Sequence, residues 1–329
     1  MGAGTDSSVQ CSLCQRRCLI GPGEVGFCRT RRNEQGRLES LAYGRLAALE
    51  SRPIEIKPFF HFHPGSSALT YCCHSCNLRC RWCQNWRLSR ADPAQAQAEY
   101  VSPANLVEMA LHLGDEGLCC SFTEPTLLHE YNLAAFPLAK VAGLYTCYVS
   151  NGYMTVGTLQ ELQAAGLDAI KIDVKGDAAV YNECCDAPHG ERVWETAAAA
   201  KRMGLHVEIV NLVVTGINDS EQALRDLIER HLEAVGGETP LHFTRYQPAY
   251  RMHAPPTPVH TLERAHELAW QAGVAYPYLG NVHGHPAENT YCPSCGQLLI
   301  ERFSYSVRQV LLTRSKQCPA CGRHIPVIC

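Results

Sequence analysis

Along the middle of the chain, apolar positions follow two rhythms in alternation. Ala68–Cys73, Cys119–Phe122, Tyr145–Ser150, Ala169–Val174, Val207–Val213, Leu241–Arg245 and Val274–Leu279 are short, mainly apolar runs and read as strands. Between them, Pro103–Leu113, Leu127–Val141, Thr155–Ala164, Val193–Arg202, Ser220–Val235 and Thr261–Ala272 carry apolar residues at helical spacing. Ser102 before Pro103, and Asp219-Ser220 before Glu221, are helix start signals. A hydroxyl or carboxylate can accept from the first free N–H groups, and a proline loses nothing at the first helical position. Strands alternating with helices predict a parallel sheet, because each parallel return needs a crossover. The expected fold class is α/β, a partial (β/α)6 TIM-type barrel, with its chemistry at the C-terminal strand ends. An open doubly wound sheet is the alternative, but no Gly-rich dinucleotide fingerprint follows the first strand. No internal repeat is present, and Ala91–Ala98 reads as a polar loop over the barrel mouth.

Charge and composition narrow the function classes. The 29 Lys+Arg against 32 Asp+Glu among 329 residues leave a formal charge of −3, so there is no global basic field and a nucleic-acid partner is not supported. No run of 18 apolar residues occurs, and Met1–Gln10 has neither a basic leader nor an apolar h-region, so the expectation is no membrane association and a cytoplasmic location. The 19 cysteines change the picture, since in such a chain they point to metal ligation or redox chemistry before disulfides. Cys11, Cys14, Cys18 and Cys28 lie in a Gly/Pro-rich opening segment. Cys72, Cys73, Cys76, Cys80 and Cys83 follow the first barrel strand. Cys292, Cys295, Cys318 and Cys321 form two CxxC knuckles, each followed by glycine, at Gly296 and Gly322. The expected organisation is a cysteine-rich N-terminal module over 1–66, the barrel over 67–285 and a zinc-ribbon-like C-terminal module over 286–329.

The middle set is the most informative. In Cys76-Asn77-Leu78-Arg79-Cys80-Arg81-Trp82-Cys83, three cysteines spaced CxxxCxxC can ligate three irons of a [4Fe–4S] cluster, whereas the usual protein cluster has four thiolates. One iron would be open to another ligand. The plain alternative is a three-cysteine zinc site or inert thiols, but the loop stands where a barrel active site belongs. Cys72 and Cys73, on the strand itself, read as small buried residues. Ser121-Phe122-Thr123-Glu124-Pro125-Thr126, Ser150-Asn151-Gly152-Tyr153 and Lys171-Ile172-Asp173-Val174-Lys175 bring polar groups to further strand ends. For these the alternatives are turn chemistry and a structural ion pair. His74, beside the cysteine loop, is the best functional candidate among the histidines; His61, His63, His283 and His285 read as structural.

With its aromatic, the set Cys76, Cys80, Trp82 and Cys83 resembles the signature of the radical S-adenosylmethionine (SAM) superfamily. The likeness covers nearly the whole chain. CSLCQRRCLIGPGEVGFC, YGRLAALESRPIEIKPFFHFHPGS, CNLRCRWCQNW, FTEPT, SNGYMT, DVKG, TGINDSE, PPTP, GNVHGHPAENTYCPSCG and CPACGRHIP are similar to AmmeMemoRadiSam-system radical SAM enzymes, relatives of the pyruvate formate-lyase activating enzymes. The resemblance implies that Cys76, Cys80 and Cys83 hold the catalytic cluster, that SAM chelates the open iron through its amino and carboxyl groups, and that Trp82 lies near the adenine. It also makes Thr123, Glu124, Pro125, Ser150, Asn151, Asp173 and Lys175 candidates for binding SAM or substrate.

The implied chemistry is reductive cleavage of SAM to methionine and a 5′-deoxyadenosyl radical, which abstracts hydrogen from substrate. The cofactor carries that chemistry, while the protein orients the reactants and excludes water. A flavodoxin- or ferredoxin-type electron donor is implied with it. The expected substrate is a small molecule, with sulfur insertion from an auxiliary Fe–S cluster as an extension. The alternatives are a glycyl-radical-type activating enzyme working on a protein partner and, outside this class, a zinc-only binding module. Cys11, Cys14, Cys18 and Cys28 could hold zinc or an auxiliary cluster, whereas the C-terminal knuckles favour zinc. Two stretches depart from the family pattern. Leu118-Cys119-Cys120-Ser121-Phe122 replaces an aromatic-rich strand, and Cys184-Cys185-Asp186-Ala187 replaces a Cys-Gly-Ala; both read as small buried residues.

Overall fold

The apolar runs assemble into one curved sheet. The computed structural model describes residues 7–329, so Met1–Asp6, including that part of the Met1–Gln10 reading, lies outside the described residues. In chain order the sheet strands are β1 (Ala48–Pro53), β2 (Ser67–Cys72), β3 (Gly117–Cys120), β4 (Tyr145–Ser150), β5 (Ala169–Val174), β6 (His206–Val213), β7 (Leu241–Arg245) and β8 (Pro277–Gly280). They lie side by side in that order. β2 to β8 are parallel throughout, and β1 pairs antiparallel with β2 at one edge. The crossovers carry α1 (Pro103–Leu113), α2 (His129–Val141), α3 (Val156–Ala164), α4 (Ala178–Cys185), α5 (Val193–Arg202), α6 (Glu221–Val235) and α7 (Val259–Ala272). This is the partial barrel expected from the alternation, with β1 and β8 at its two edges. No helix among the described residues is long and apolar enough to cross a membrane.

The capping chemistry is as expected. Ser102 accepts from the Asn105 N–H and Ser220 from the Ala223 N–H. Differences from the sequence reading have local causes. β3 ends two residues early because Phe122 takes a left-handed φ of 60° and turns the chain out of the sheet. The expected helix at Leu127 begins as a 3₁₀ turn, Pro125–Leu128, because the Glu124 carboxylate accepts from the Thr126 N–H and tightens the chain there. Val274 is not in a strand: its N–H bonds the Ala269 carbonyl just after Gly273 caps α7. β1 was not anticipated, since it is a half-exposed edge strand whose Glu50 and Arg52 break any apolar run. Nor was α4, whose N-terminus is capped by Asp177 through the Val180 N–H.

Side chains alternate across each strand. Cys119, Tyr145, Cys147 and Ala169 face the barrel lumen with Ile54, Phe59 and Phe62. Their neighbours Cys120, Tyr148, Ile170 and Ile172 face the helices and form the larger core. The segment Ile54–His63 closes the N-terminal end of the lumen around a fully buried Glu208. That carboxylate accepts from the Phe60 N–H at 2.9 Å, the His61 N–H at 2.8 Å, His206 Nε2 at 2.9 Å and His242 Nε2 at 2.7 Å.

The C-terminal module is a three-stranded antiparallel sheet of Thr290–Tyr291, Leu298–Phe303 and Ser306–Val310. It packs Leu299, Ile300, Ile325 and Val327 on Phe60, Tyr276 and Tyr278, and Arg302 donates to the Phe60 carbonyl at 2.6 Å. It therefore docks at the N-terminal end of the barrel. The N-terminal module docks at the other end, where Gln15 N bonds the Tyr153 carbonyl and Thr155 N the Leu13 carbonyl.

Candidate active site

After Cys73 the chain leaves the sheet in a loop whose base is closed by a hydrogen bond from Ser75 N to the Leu88 carbonyl, 2.9 Å long. A loop of this size needs its carbonyls satisfied, and two arginines do this. Arg79 donates to the carbonyls of Cys76 at 2.8 Å and Phe27 at 3.0 Å, and Arg90 donates to that of Leu78 at 2.8 Å. The N–H groups of Arg79 and Arg81 bond the carbonyls of Cys185 and Cys184 at the end of α4. Pinned in this way, the loop turns Cys76, Cys80, Trp82 and Cys83 inward onto a cavity of about 350 Å³ at the C-terminal strand ends.

The opposite walls come from successive strands. Thr123 follows β3, Asn151 follows β4, Lys171, Asp173 and Lys175 lie on and just past β5, and Thr244 lies on β7. Lys57 enters from the segment that closes the lumen below. Lys171 and Asp173 share a face because they are two apart on a strand, and the Lys171 ammonium meets the Asp173 carboxylate at 2.7 Å. Lys175 approaches the same carboxylate at 3.6 Å. Burial alone would raise the Asp173 pKa, but the two ammonium groups bring it below its ordinary value. Lys57 lies 4.2 Å from the centre of the Phe122 ring, and burial lowers its pKa. The cavity thus gathers three ammonium groups and one carboxylate, with Lys171 and Lys175 paired to Asp173 and Lys57 apart from it.

The sequence-predicted residues divide into two groups. Cys76, Cys80, Trp82, Cys83, Thr123, Asn151, Asp173 and Lys175 all line the cavity. Glu124, Pro125 and Ser150 stand behind it. Glu124 accepts from Ser150 Oγ at 2.8 Å, the Asn151 N–H at 2.9 Å and the Thr126 N–H at 3.1 Å, so its carboxylate joins the ends of β3 and β4. Asn151 in turn donates to Asn77 Oδ1 at 2.8 Å, and Thr123 Oγ1 to the Cys73 carbonyl at 2.9 Å. Both tie strand ends to the cysteine loop. His74 is half-buried and does not line the cavity.

Sequence reasoning missed Lys57, Thr244 and Cys185. Lys57 was findable as a single cation in the apolar stretch Ile54–Phe62. Cys185 was read as an inert small residue, yet its thiol is the main influence lowering the Cys80 pKa. Burial raises the pKa values of Cys76 and Cys83.

The three cysteine sets differ in spacing. Cys292, Cys295, Cys318 and Cys321 are the one set among the described residues whose ligand atoms all lie within 4.8 Å of one another. Sγ of Cys292 is 3.5 Å from that of Cys321, and Sγ of Cys295 is 3.6 Å from that of Cys318. A single tetrahedral ion with bonds of about 2.3 Å places its thiolates about 3.8 Å apart. A cluster, whose irons each take one thiolate, needs them further apart. The triplet Cys76, Cys80 and Cys83 shares one cavity without that close convergence, which fits the larger group. Cys11, Cys14, Cys18 and Cys28 also influence one another electrostatically without converging so closely.

Comparison with known proteins agrees with this geometry. Residues 70–230 match the family model of the Radical SAM superfamily. MJ0808 of Methanocaldococcus jannaschii, an uncharacterized protein, is 39% identical over 325 residues, covering 98% of this chain and 96% of that one. A probable GTP 3′,8-cyclase of Pyrobaculum aerophilum is 25% identical over 157 residues, covering 47% of this chain and 50% of that one. Among solved structures, a radical SAM methyltransferase from Sphaerobacter thermophilus has a TM-score of 0.50 at 14% identity, over 72% of this chain and 71% of that one, which is a likeness of fold.

Proposed function

This chain belongs to the radical SAM superfamily, and we propose that Cys76, Cys80 and Cys83 hold its [4Fe–4S] cluster while the adjoining cavity binds SAM and a small anionic substrate. Membership carries SAM cleavage by a radical mechanism, with a cluster and an electron donor. Held by Cys76, Cys80 and Cys83, the cluster would supply the electron for reductive cleavage of SAM, the source of the radical that would take hydrogen from the substrate. The remaining work falls to side chains. Trp82 offers an aromatic face beside the thiols, and Asn151 and Thr123 hold the loop to the strand ends.

The observation that carries this reading is the convergence of three thiols with Lys57, Lys171 and Lys175 on one cavity that offers a single carboxylate in return. Burying uncompensated ammonium groups is costly, so an anionic occupant would stabilise them. The SAM carboxylate can meet one ammonium group, but SAM's own ammonium and sulfonium leave it net positive, so the compensating negative charge would come from the thiolate-held cluster and from a substrate carboxylate or phosphate.

Geometry supports zinc in the C-terminal set, where the thiols stand at single-ion spacing. The looser N-terminal set suits an auxiliary Fe–S cluster, which leaves sulfur insertion open to the enzyme. The test is anaerobic incubation of reconstituted protein with SAM and dithionite. The expected products are 5′-deoxyadenosine and methionine, and Cys76→Ala should form neither. Product formation by Cys76→Ala at the wild-type rate would overturn the assignment.

A further inference from the structure

A second concavity, of about 600 Å³, lies on the other side of the cysteine loop. Ser75, Arg79, Arg81 and Arg90 of the loop line it, and none of its lining residues belongs to the SAM cavity. The loop alternates in the way a strand does, with Arg79 and Arg81 outward and Cys80 and Trp82 inward. One thickness of backbone therefore separates the outer concavity from the proposed cluster. Arg29 of the N-terminal module and Arg251 of the loop after β7 complete the basic lining, against Glu183 and Asp186.

Arg29 is paired with Asp92 at 3.2 Å, but among the described residues the other arginines of this face are not paired with a carboxylate. Among the described residues, no carboxylate lies within 4.0 Å of Arg81, Arg90 or Arg251. Arg90 Nη1 is buried without a hydrogen-bond partner. Arg81 and Arg251 are exposed. Beside them, Trp86 and Tyr250 stack with ring centres 5.4 Å apart, giving the rim an apolar platform. A substrate of the radical has to reach the SAM cavity, and this concavity shares no lining residue with it. An electron, by contrast, needs only proximity to the cluster.

Resting on the cluster assignment to Cys76, Cys80 and Cys83, we propose that this arginine face is the docking site of an acidic one-electron carrier protein. The carrier, for example a flavodoxin in its hydroquinone form, is oxidised by one electron while the cluster gains it. No bond forms or breaks in that step. Opposed charge on the two faces speeds encounter and fixes orientation, and the Trp86–Tyr250 platform offers an apolar contact at the rim.

The test measures binding of an oxidised flavodoxin and an oxidised two-cluster ferredoxin to the full chain, at low and high ionic strength. Wild type is compared with Arg81→Glu/Arg251→Glu, with Arg251→Glu alone guarding against misfolding of the double variant. The expected result is a salt-sensitive complex with at least one carrier, weakened roughly tenfold or more by charge reversal. Reduction by that carrier should slow in parallel, while dithionite-driven SAM cleavage persists. Affinity unchanged by charge reversal, or no complex with either carrier, overturns the proposal. So does binding of transfer RNA or inorganic phosphate that the double variant loses while carrier affinity stays, since that assigns the face to another anion. Loss of dithionite-driven cleavage in both Arg251→Glu and Arg251→Lys would place Arg251 in the SAM cavity and also overturn it. Absence of SAM cleavage in the wild type would instead defeat the cluster assignment, leaving the binding measurement to judge the face by itself.

Discussion

At the N-terminal end of the barrel, Glu208 is completely buried, and two backbone N–H groups and two imidazoles satisfy both its oxygens. At the C-terminal end, Lys171 and Lys175 share a single carboxylate, Asp173, while Lys57 has no carboxylate partner within 4.0 Å among the described residues, and the cavity they line is open. The two ends are built from the same strands. On β6 the inward-facing Glu208 lies at the bottom and Leu212 at the top; on β5 Lys171 leads upward to Asp173. A charge network complete within the protein is a structural device, and one that lacks its counter-charge awaits a ligand. The cysteines repeat the contrast. The C-terminal four stand at single-ion spacing beneath the barrel, whereas the central three spread around the cavity above it.

The comparison can be broken most severely at the cysteine loop. Replacing any one of Cys76, Cys80 and Cys83 by alanine should abolish SAM cleavage, measured as 5′-deoxyadenosine, while the melting temperature changes little, because these side chains are only partly buried. Glu208→Gln should do the reverse. It leaves buried imidazoles and N–H groups facing a neutral amide, and breaking a buried charge network costs about 3–5 kcal/mol, readable as a fall in the urea midpoint. SAM cleavage by the folded fraction should remain.

The pH dependence of stability sharpens the same contrast. Burial works against the Glu208 carboxylate, but its bonds to His206 and His242 hold its pKa well below the ordinary range. A folded-state pKa lowered in this way stabilises the protein above the unfolded carboxylate value of about 4.3 and loses that contribution as pH falls below it. The stability gap between wild type and Glu208→Gln should therefore be full at neutral pH and narrow in acid. A gap that widened in acid would refute the ionised assignment.

Two smaller effects complete the series. Lys57→Met should raise stability by up to about 1 kcal/mol, as expected when a buried functional charge is removed, and should weaken SAM or substrate binding. Chemical denaturation and equilibrium dialysis with SAM would measure the two effects. Cys292→Ser should remove the single ion proposed for the C-terminal set and lower the melting temperature, with the iron content and SAM cleavage unchanged.

Much of this architecture was readable from sequence. The bounds of β4, β5, β7, α1 and α5 follow directly from periodicity and caps, because buried parallel strands are continuous apolar runs and their helices carry start signals. The same logic failed at β1, an edge strand with no second covered face. In the site, the loop cysteines were found through their spacing, and Asp173 and Lys175 through their place at a strand end. Glu124 was marked for the right end of the barrel, yet it acts through Ser150 and Asn151 and does not line the cavity. Lys57 and Cys185 escaped because each becomes notable only through a neighbour distant in sequence, Phe122 for one and Cys80 for the other.

The central claim is that the three loop cysteines hold a cluster while the C-terminal four hold a single ion. It is tested most directly by the iron, sulfide and zinc content of anaerobically reconstituted protein, compared with the Cys76→Ala/Cys80→Ala/Cys83→Ala variant. The account predicts that the variant loses about four irons, one [4Fe–4S] unit, with matching sulfide, and keeps its zinc. Unchanged iron in the variant, or zinc lost in place of iron, would contradict it.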